Sequence, residues 1–178
     1  ELAEEASKRA IALEPESSDA LFTAAYLALT YHHNWEESRE YFDRAIAISP
    51  HSAEARSGSG LLFLAVNDLV SAARETELAR ELDPMSPMHA NNLGIIYMCQ
   101  GRNEEAINQL TQAVDLSPQF VLGHLNRLSV MVWSRRNPDD LRDWESFVNQ
   151  VDGLPIVRAM LAWAYGLVGE TDNARALL

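Results

Sequence analysis

The sequence predicts an all-α protein, a right-handed solenoid of antiparallel helix pairs with about eleven helices in a single array over residues 1–178. Three observations carry that prediction. Pro50, Pro84 and Pro118 stand 34 residues apart. Ala45, Ala79 and Ala113 keep the interval, as do Ala72 and Ala106. Pro15 to Pro50 and Ala10 to Ala45 are each 35, a single insertion. A period of this length is one helix-turn-helix unit, which cannot bury its apolar face alone and stacks on its neighbours instead.

Composition narrows the class. The chain is 47% apolar and 22% charged, and no apolar run approaches the ~18 residues that a membrane helix needs. It starts at Glu1 with no basic-then-apolar leader, which reads as a segment of something longer. A net charge of −12, with thirteen arginines and one lysine (Lys8), argues against phosphate-backbone binding by this region. The single cysteine, Cys99, excludes an internal disulfide. A cytoplasmic location is expected, with a periplasmic one open if the longer protein has a membrane segment.

Residues 1–15 are half a repeat. Leu2, Ala6, Ala10 and Leu13 fall at helical spacing between Glu1 and Glu14, and Pro15 stops the helix. Matching Pro15 to Pro50 makes Ala3 the counterpart of Ser38, Ala72 and Ala106, so this is a second helix whose open apolar flank calls for an upstream partner. Residues 18–50 hold a first helix from Ala20 to Tyr31 and a charged second helix from Trp35 to Ile48, with Asn34 and Glu37 as a capping box. The extra residue falls near Tyr31-His32-His33, in the turn, where an insertion costs least. The adjacent histidines point apart and lack a spaced third ligand, so metal binding is the weaker reading.

Residues 53–84 keep the period with Gly58 and Gly60 inside the first helix. Gly60 lies 34 before Gly94, and at both the two helices of a repeat should cross too closely for a side chain. Gly58 aligns with Asn92, expected to face outward, so it is either a thin spot in a groove wall or drift in a tolerant repeat. Residues 87–118 are the most regular unit: Ser86 caps, Pro87 opens the first helix, Gly101 ends it and Asn103 caps the second. Residues 121–152 depart from the pattern, with Leu128 in place of the glycine and Asp140 in place of the alanine. The second helix is signalled by Asn137, Pro138, Asp139 and Asp140, and its large apolar face of Leu141, Trp144, Phe147 and Val148 predicts an altered angle. Residues 155–178 recover the frame, with Leu161-Ala162-x-x-Tyr165, Gly169 and Ala174 standing 68 after Leu93-Gly94, Tyr97, Gly101 and Ala106.

The pattern Leu93-Gly94-x-x-Tyr97, Ala106-x-x-x-Leu110 and Pro118 resembles the tetratricopeptide repeat, with Ala90 where that family usually has tryptophan. The resemblance covers nearly the whole chain and implies a non-catalytic scaffold that binds a peptide or helix of a partner protein in a concave groove. A structural spacer or oligomerisation module, self-associating through open array ends, is the alternative. The phrases Asn34-Trp35-Glu36-Glu37-Ser38, Phe42 through Pro50 and Glu81 through Pro87 look like arrays attached to bacterial signalling proteins, which carry winged-helix, cyclase or kinase domains.

Motifs for catalysis are missing: there is no His-Glu-x-x-His, paired Cys-x-x-Cys, Gly-x-Ser-x-Gly or phosphate-binding loop, so no enzyme, cofactor or metal site is expected. His89 and His124, near the starts of successive first helices, read as helix-start residues. Stepping by the period gives the groove columns. These are Phe22, Ser57, Asn91, Leu125 and Ala159; Thr23, Gly58, Asn92, Asn126 and Met160; and Tyr26, Leu61, Ile95, Ser129 and Trp163. Met98 and Val132 should add apolar contact. Asn92 and Asn126 either bond a ligand backbone from solvent-facing positions or bond neighbouring helices. First helices offer Arg56, Arg127 and Arg158 but no lysine, which argues against the carboxylate clamp known from chaperone-binding members of the family.

Overall fold

In a computed structural model of the chain, residues 2–135, 141–150 and 155–177 are described, and they contain eleven helices and no strand. They fall into two compact units, Glu1–Met85 and Ser86–Leu178. The first unit holds α1 (Leu2–Leu13), α2 (Ser18–Leu27), α3 (Trp35–Ile48), α4 (Ala53–Ala65) and α5 (Leu69–Leu82). The second holds α6 (Pro87–Cys99), α7 (Asn103–Leu116), α8 (Val121–Arg135), α9 (Arg142–Gln150), α10 (Pro155–Val168) and α11 (Thr171–Ala176).

Within each unit the helices pair antiparallel, and first helices also lie side by side. In the first unit α2 packs on α3 and α4 on α5, while α2 touches α4. In the second α6 packs on α7 and α10 on α11, while α6, α8 and α10 form a continuous layer. Small residues set these close crossings. A Cβ on Gly94 would stand 2.6 Å from Leu110 Cγ and 3.2 Å from the Ala106 carbonyl; one on Gly60 would meet Thr76 and the Ala72 carbonyl. Ala45, Ala72, Ala79, Ala106 and Ala113, the periodic alanines, are fully buried.

Gly58 has a steric role that the sequence did not disclose. A Cβ there would lie 2.6 Å from Phe42 Cζ and 3.2 Å from Phe22 Cε2, so the glycine is the socket for the Phe42 ring of the preceding repeat. Phe42 is fully buried in a cluster with Ala25, Leu29 and Leu62. Neither a thin groove wall nor drift describes the position.

The inserted residue lies inside a helix and not in the turn. After Leu27 the chain runs through a five-residue π segment, Ala28–His32. The Asn34 N–H bonds to the carbonyl of Ala28, six residues back, whereas the equivalent N–H groups of Asp68, Arg102 and Glu170 bond to Phe63, Tyr97 and Tyr165, five back. A π turn is the geometry that takes in one extra residue without rotating the chain downstream of it. Beyond it, His33, Asn67, Gly101 and Gly169 all adopt positive φ, so the left-handed helix end recurs at the repeat interval with or without glycine.

Caps agree with expectation at Asn34 and Ser86, whose side chains accept from the N–H of Glu37 and His89. Asn34 Nδ2 also donates to Glu37 Oε2 at 3.0 Å. Asn103 is not a cap: it is the first residue of α7, and Arg102 occupies the cap position without a capping bond. The 34-residue step from Asp68, the counterpart of Asn34, lands on Arg102, which turns outward to Glu105 (Nε to Oε2, 2.8 Å) and stacks on Tyr97 with Cζ 3.8 Å from the ring centroid.

In the irregular repeat, Leu141 and Trp144 are fully buried, Phe147 is buried and Val148 packs against them, together with Leu128, Val157, Leu161 and Tyr165. Trp144 Nε1 donates to the His124 carbonyl at 3.1 Å. The His124 ring stacks on Phe147 with centroids 3.6 Å apart. The signals at Asn137, Pro138, Asp139 and Asp140 lie outside the described residues.

Candidate functional site

The layer formed by α6, α8 and α10 leaves one long face open. On each of its helices a stripe at i, i+4, i+7 and i+11 runs along that face, exposed toward its ends and covered at Asn92. The stripes are Met88, Asn92, Ile95 and Cys99; Leu122, Asn126, Ser129 and Trp133; and Ile156, Met160, Trp163 and Leu167. None of these residues is charged, and α6, α8 and α10 contain no Asp or Glu anywhere. Trp133 is 62% exposed and Trp163 37% exposed, and their rings meet with centroids 6.3 Å apart at 55°.

Of the expected site residues, Ile95, Met98, Asn126 and Ser129 are half-buried on this layer, and Trp163 is exposed. Val132 is not on the face. It is 1% exposed and belongs to the core cluster of Leu128, Leu141 and Trp144. Trp133, one residue on, takes the open position. Stepping by the period from Thr30, Ala65 and Cys99 reaches Trp133, so a further column four residues beyond Ser129 and Trp163 would have found it.

Asn92 also departs from expectation. It is 6% exposed and so does not face solvent. Asn126 Nδ2 donates to Asn91 Oδ1 at 2.9 Å, and Asn91 Nδ2 donates to Asn92 Oδ1 at 3.5 Å. Asn91 is fully buried. The three amides form a chain across the seam between α6 and α8, where a polar group must find a partner or bear the full cost of losing water. Ser129 is likewise occupied, its hydroxyl donating to the Leu125 carbonyl at 2.8 Å.

In the first unit, Tyr26 is exposed and its ring lies beside Phe22, with centroids 6.0 Å apart. Leu61 is half-buried, and Ser57 is buried. Arg56 is committed inside the fold: Nη1 pairs with the buried Glu75 carboxylate at 2.8 Å, and Nε donates to the Pro50 carbonyl. Arg74 pairs with the other oxygen of Glu75 at 3.0 Å.

Two family models, both described as tetratricopeptide repeat, match residues 23–87 and 90–120, together more than half of the chain. The chain belongs to the tetratricopeptide repeat family. No curated protein matches it in sequence. Among solved structures, it resembles YrrB, described as a tetratricopeptide repeat protein with an unusual peptide-binding site. There the identity is 16% and the TM-score 0.70, covering 97% of this chain and 88% of that one. It also resembles pilF of Pseudomonas aeruginosa, at 23% identity and TM-score 0.78, covering 90% and 72%. Against the Cut9-Hcn1 hetero-tetramer structure the identity is 17% and the TM-score 0.81, covering 98% of this chain and 35% of that one. At these identities the likeness is one of fold.

Two recesses in the surface of this tetratricopeptide chain do not touch the expected columns. One, of about 340 Å³, lies between α1, α2 and α3, with Glu4, Lys8, His32, Glu37 and Tyr41 at its walls. The other, of about 270 Å³, lies between α9, α10 and α11. Among the described residues no group of His, Cys, Asp or Glu is arranged to hold a metal, and no helix is long and apolar enough to cross a membrane.

Proposed function

We propose that the chain is a non-catalytic protein-interaction scaffold, which seats a segment of a partner on the open faces of its first helices. The observation that carries this reading is the exposed pair Trp133 and Trp163. Tryptophan supplies a large amphipathic contact area at small entropic cost and dominates the energetics of many interfaces. Arg56 is spent on Glu75, which supports the view that a ligand's free carboxylate is not what the groove recognises. A single continuous array, and membership of a larger bacterial regulatory or signalling protein in the cytoplasm, extend the proposal; the latter rests on phrase-level resemblance.

The test uses a photo-crosslinking residue in place of Ser129 on the open face, compared with one in place of Val70 on α5, which is exposed and lies on a second helix. Protein adducts are expected from position 129 and should disappear with excess unmodified chain. Equal adducts from both positions would count against a dedicated face.

A further inference from the structure

We propose that the recess between α1, α2 and α3 binds a small aliphatic amino alcohol, with the ammonium group paired to Glu37 at the rim and the hydroxyl bonded to Ser7 at the floor. The site is separate from the open faces of the first helices and does not depend on what those faces bind.

The first observation is a missing knob. Stepping by the period from Ser7, with the inserted residue counted, reaches Phe42, Thr76, Leu110 and Trp144, all fully buried. Phe42 fills the socket at Gly58, and Leu110 and Thr76 fill the room left by Gly94 and Gly60. Ser7 holds the same place on α1 with a side chain far smaller than phenylalanine, leucine or tryptophan, and it lines a recess of about 340 Å³. That volume is at the small end of ligand pockets.

The second is the Ser7 hydroxyl. Ser7 is 6% exposed, lines the recess and has no hydrogen-bond partner among the described residues. The serines at 129 and 134 instead donate to carbonyls of their own helix. A covered hydroxyl without a partner carries the cost of lost water, which a ligand group that both donates and accepts would remove.

The third is how charge and apolar surface divide the walls. Lys8 is committed to Glu4 at 2.6 Å. Asn34 Nδ2 holds Oε2 of Glu37 at 3.0 Å, and among the described residues no cation pairs with that carboxylate. Glu37 is exposed and Ser7 buried, so the unpaired charge lies at the mouth and the hydroxyl deeper. Ile11, Ala24 and Leu27 supply apolar wall. A cationic head, a short hydrocarbon middle and a neutral polar end match that order; a second ammonium at the inner end would have to leave water without a counter-charge there. Leu27 precedes the π segment and His32 ends it, so the inserted residue shapes this wall, as π turns often do at functional sites.

The experiment titrates the whole chain calorimetrically with linear amino alcohols of three to six carbons. Saturable binding of one molecule per chain is expected for at least one length. The matching alkylamine, diol and diamine should each bind at least fivefold more weakly. In Ser7→Ala, which removes the hydroxyl alone, the amino alcohol should fall to the affinity of the alkylamine. Ser7→Leu, which restores the residue type found at position 110, should abolish binding with melting unchanged or raised; if that variant does not fold, Ser7→Ala carries the test. Glu37→Gln keeps an oxygen for Asn34 and should weaken binding at least tenfold, whereas Glu36→Gln, an equal change of charge on the same exposed turn but off the recess, should leave it unaltered. No saturable binding by any length, an alkylamine or diamine that binds as tightly to the unaltered chain, or equal losses from the two glutamine variants overturns the inference.

Discussion

At the residue scale, size and polarity at single positions decide the packing. Gly94→Leu would drive a side chain into Leu110 and the Ala106 carbonyl and should cost about 1–3 kcal/mol as overpacking; an unchanged denaturant midpoint would show that the crossing lies elsewhere. Asn91→Ala strips the amide chain of its central member, fully buried, and should destabilise by about 1–3 kcal/mol because Asn126 loses its acceptor. Chemical denaturation measures this directly, and a neutral result would mean that water replaces the amide. The glycines and alanines at the crossings were legible in the sequence because the period exposes them. Asn92 was not, since whether a seam position is open or covered depends on how closely adjacent first helices approach. Val132 and Trp133 were confused for a related reason: they sit at the border between open face and core, and a period does not say which side of the border faces out. Arg102 could have been found by counting 34 from Asp68, but a cap-forming asparagine one residue later was the stronger local signal.

At the element scale, the π segment makes a specific deletion harmless. Removing Tyr31, which is exposed within Ala28–His32, should let α2 continue as an ordinary α-helix and leave the melting temperature and helical circular dichroism intact. Removing Leu62, buried inside α4, rotates every later residue of that helix by about 100° and should unfold its repeat. Comparable losses from the two deletions would refute the π-segment account. The nine-residue α9 is shorter than its fourteen-residue counterparts α3, α5 and α7, and is held by its large side chains. Trp144→Ala should cost about 3–5 kcal/mol, with hydrogen exchange rising in α8 through α11 first.

At the scale of the whole molecule, acid should weaken the fold through carboxylates held below their ordinary range. Hydrogen bonding to Ser71 lowers Asp68, and hydrogen bonding to Lys8 and to Arg102 lowers Glu4 and Glu105. A carboxylate more acidic in the folded state contributes stability that is complete above its unfolded value and is lost as pH falls through the folded one, so the loss begins below about pH 4. Asp68 and Glu105 are exposed and Glu4 is half-exposed, so each step is small. Asp68→Asn keeps an acceptor for the α5 cap and should flatten part of the acid limb of a melting-temperature profile; an identical limb would assign the loss to other groups. The number of helices and their pairing were readable from the chain, because punctuation and small residues recur at one interval.

The Phe42 ring and its Gly58 socket carry a consequence for how such an array can change length. Stepping by the period, the place of Gly58 is held by Thr23 in the preceding repeat, by Asn92 in the next and by Asn126 in the one after. Unequal crossing-over that copied residues 16–50 in tandem would keep the spacing of that repeat yet press the phenylalanine against a threonine Cβ, where only a hydrogen now leaves room. Repeats of this chain are therefore not interchangeable beads: their order is written at the junctions, and gain or loss of a copy must be followed by repair of a size mismatch before the lengthened array can close up.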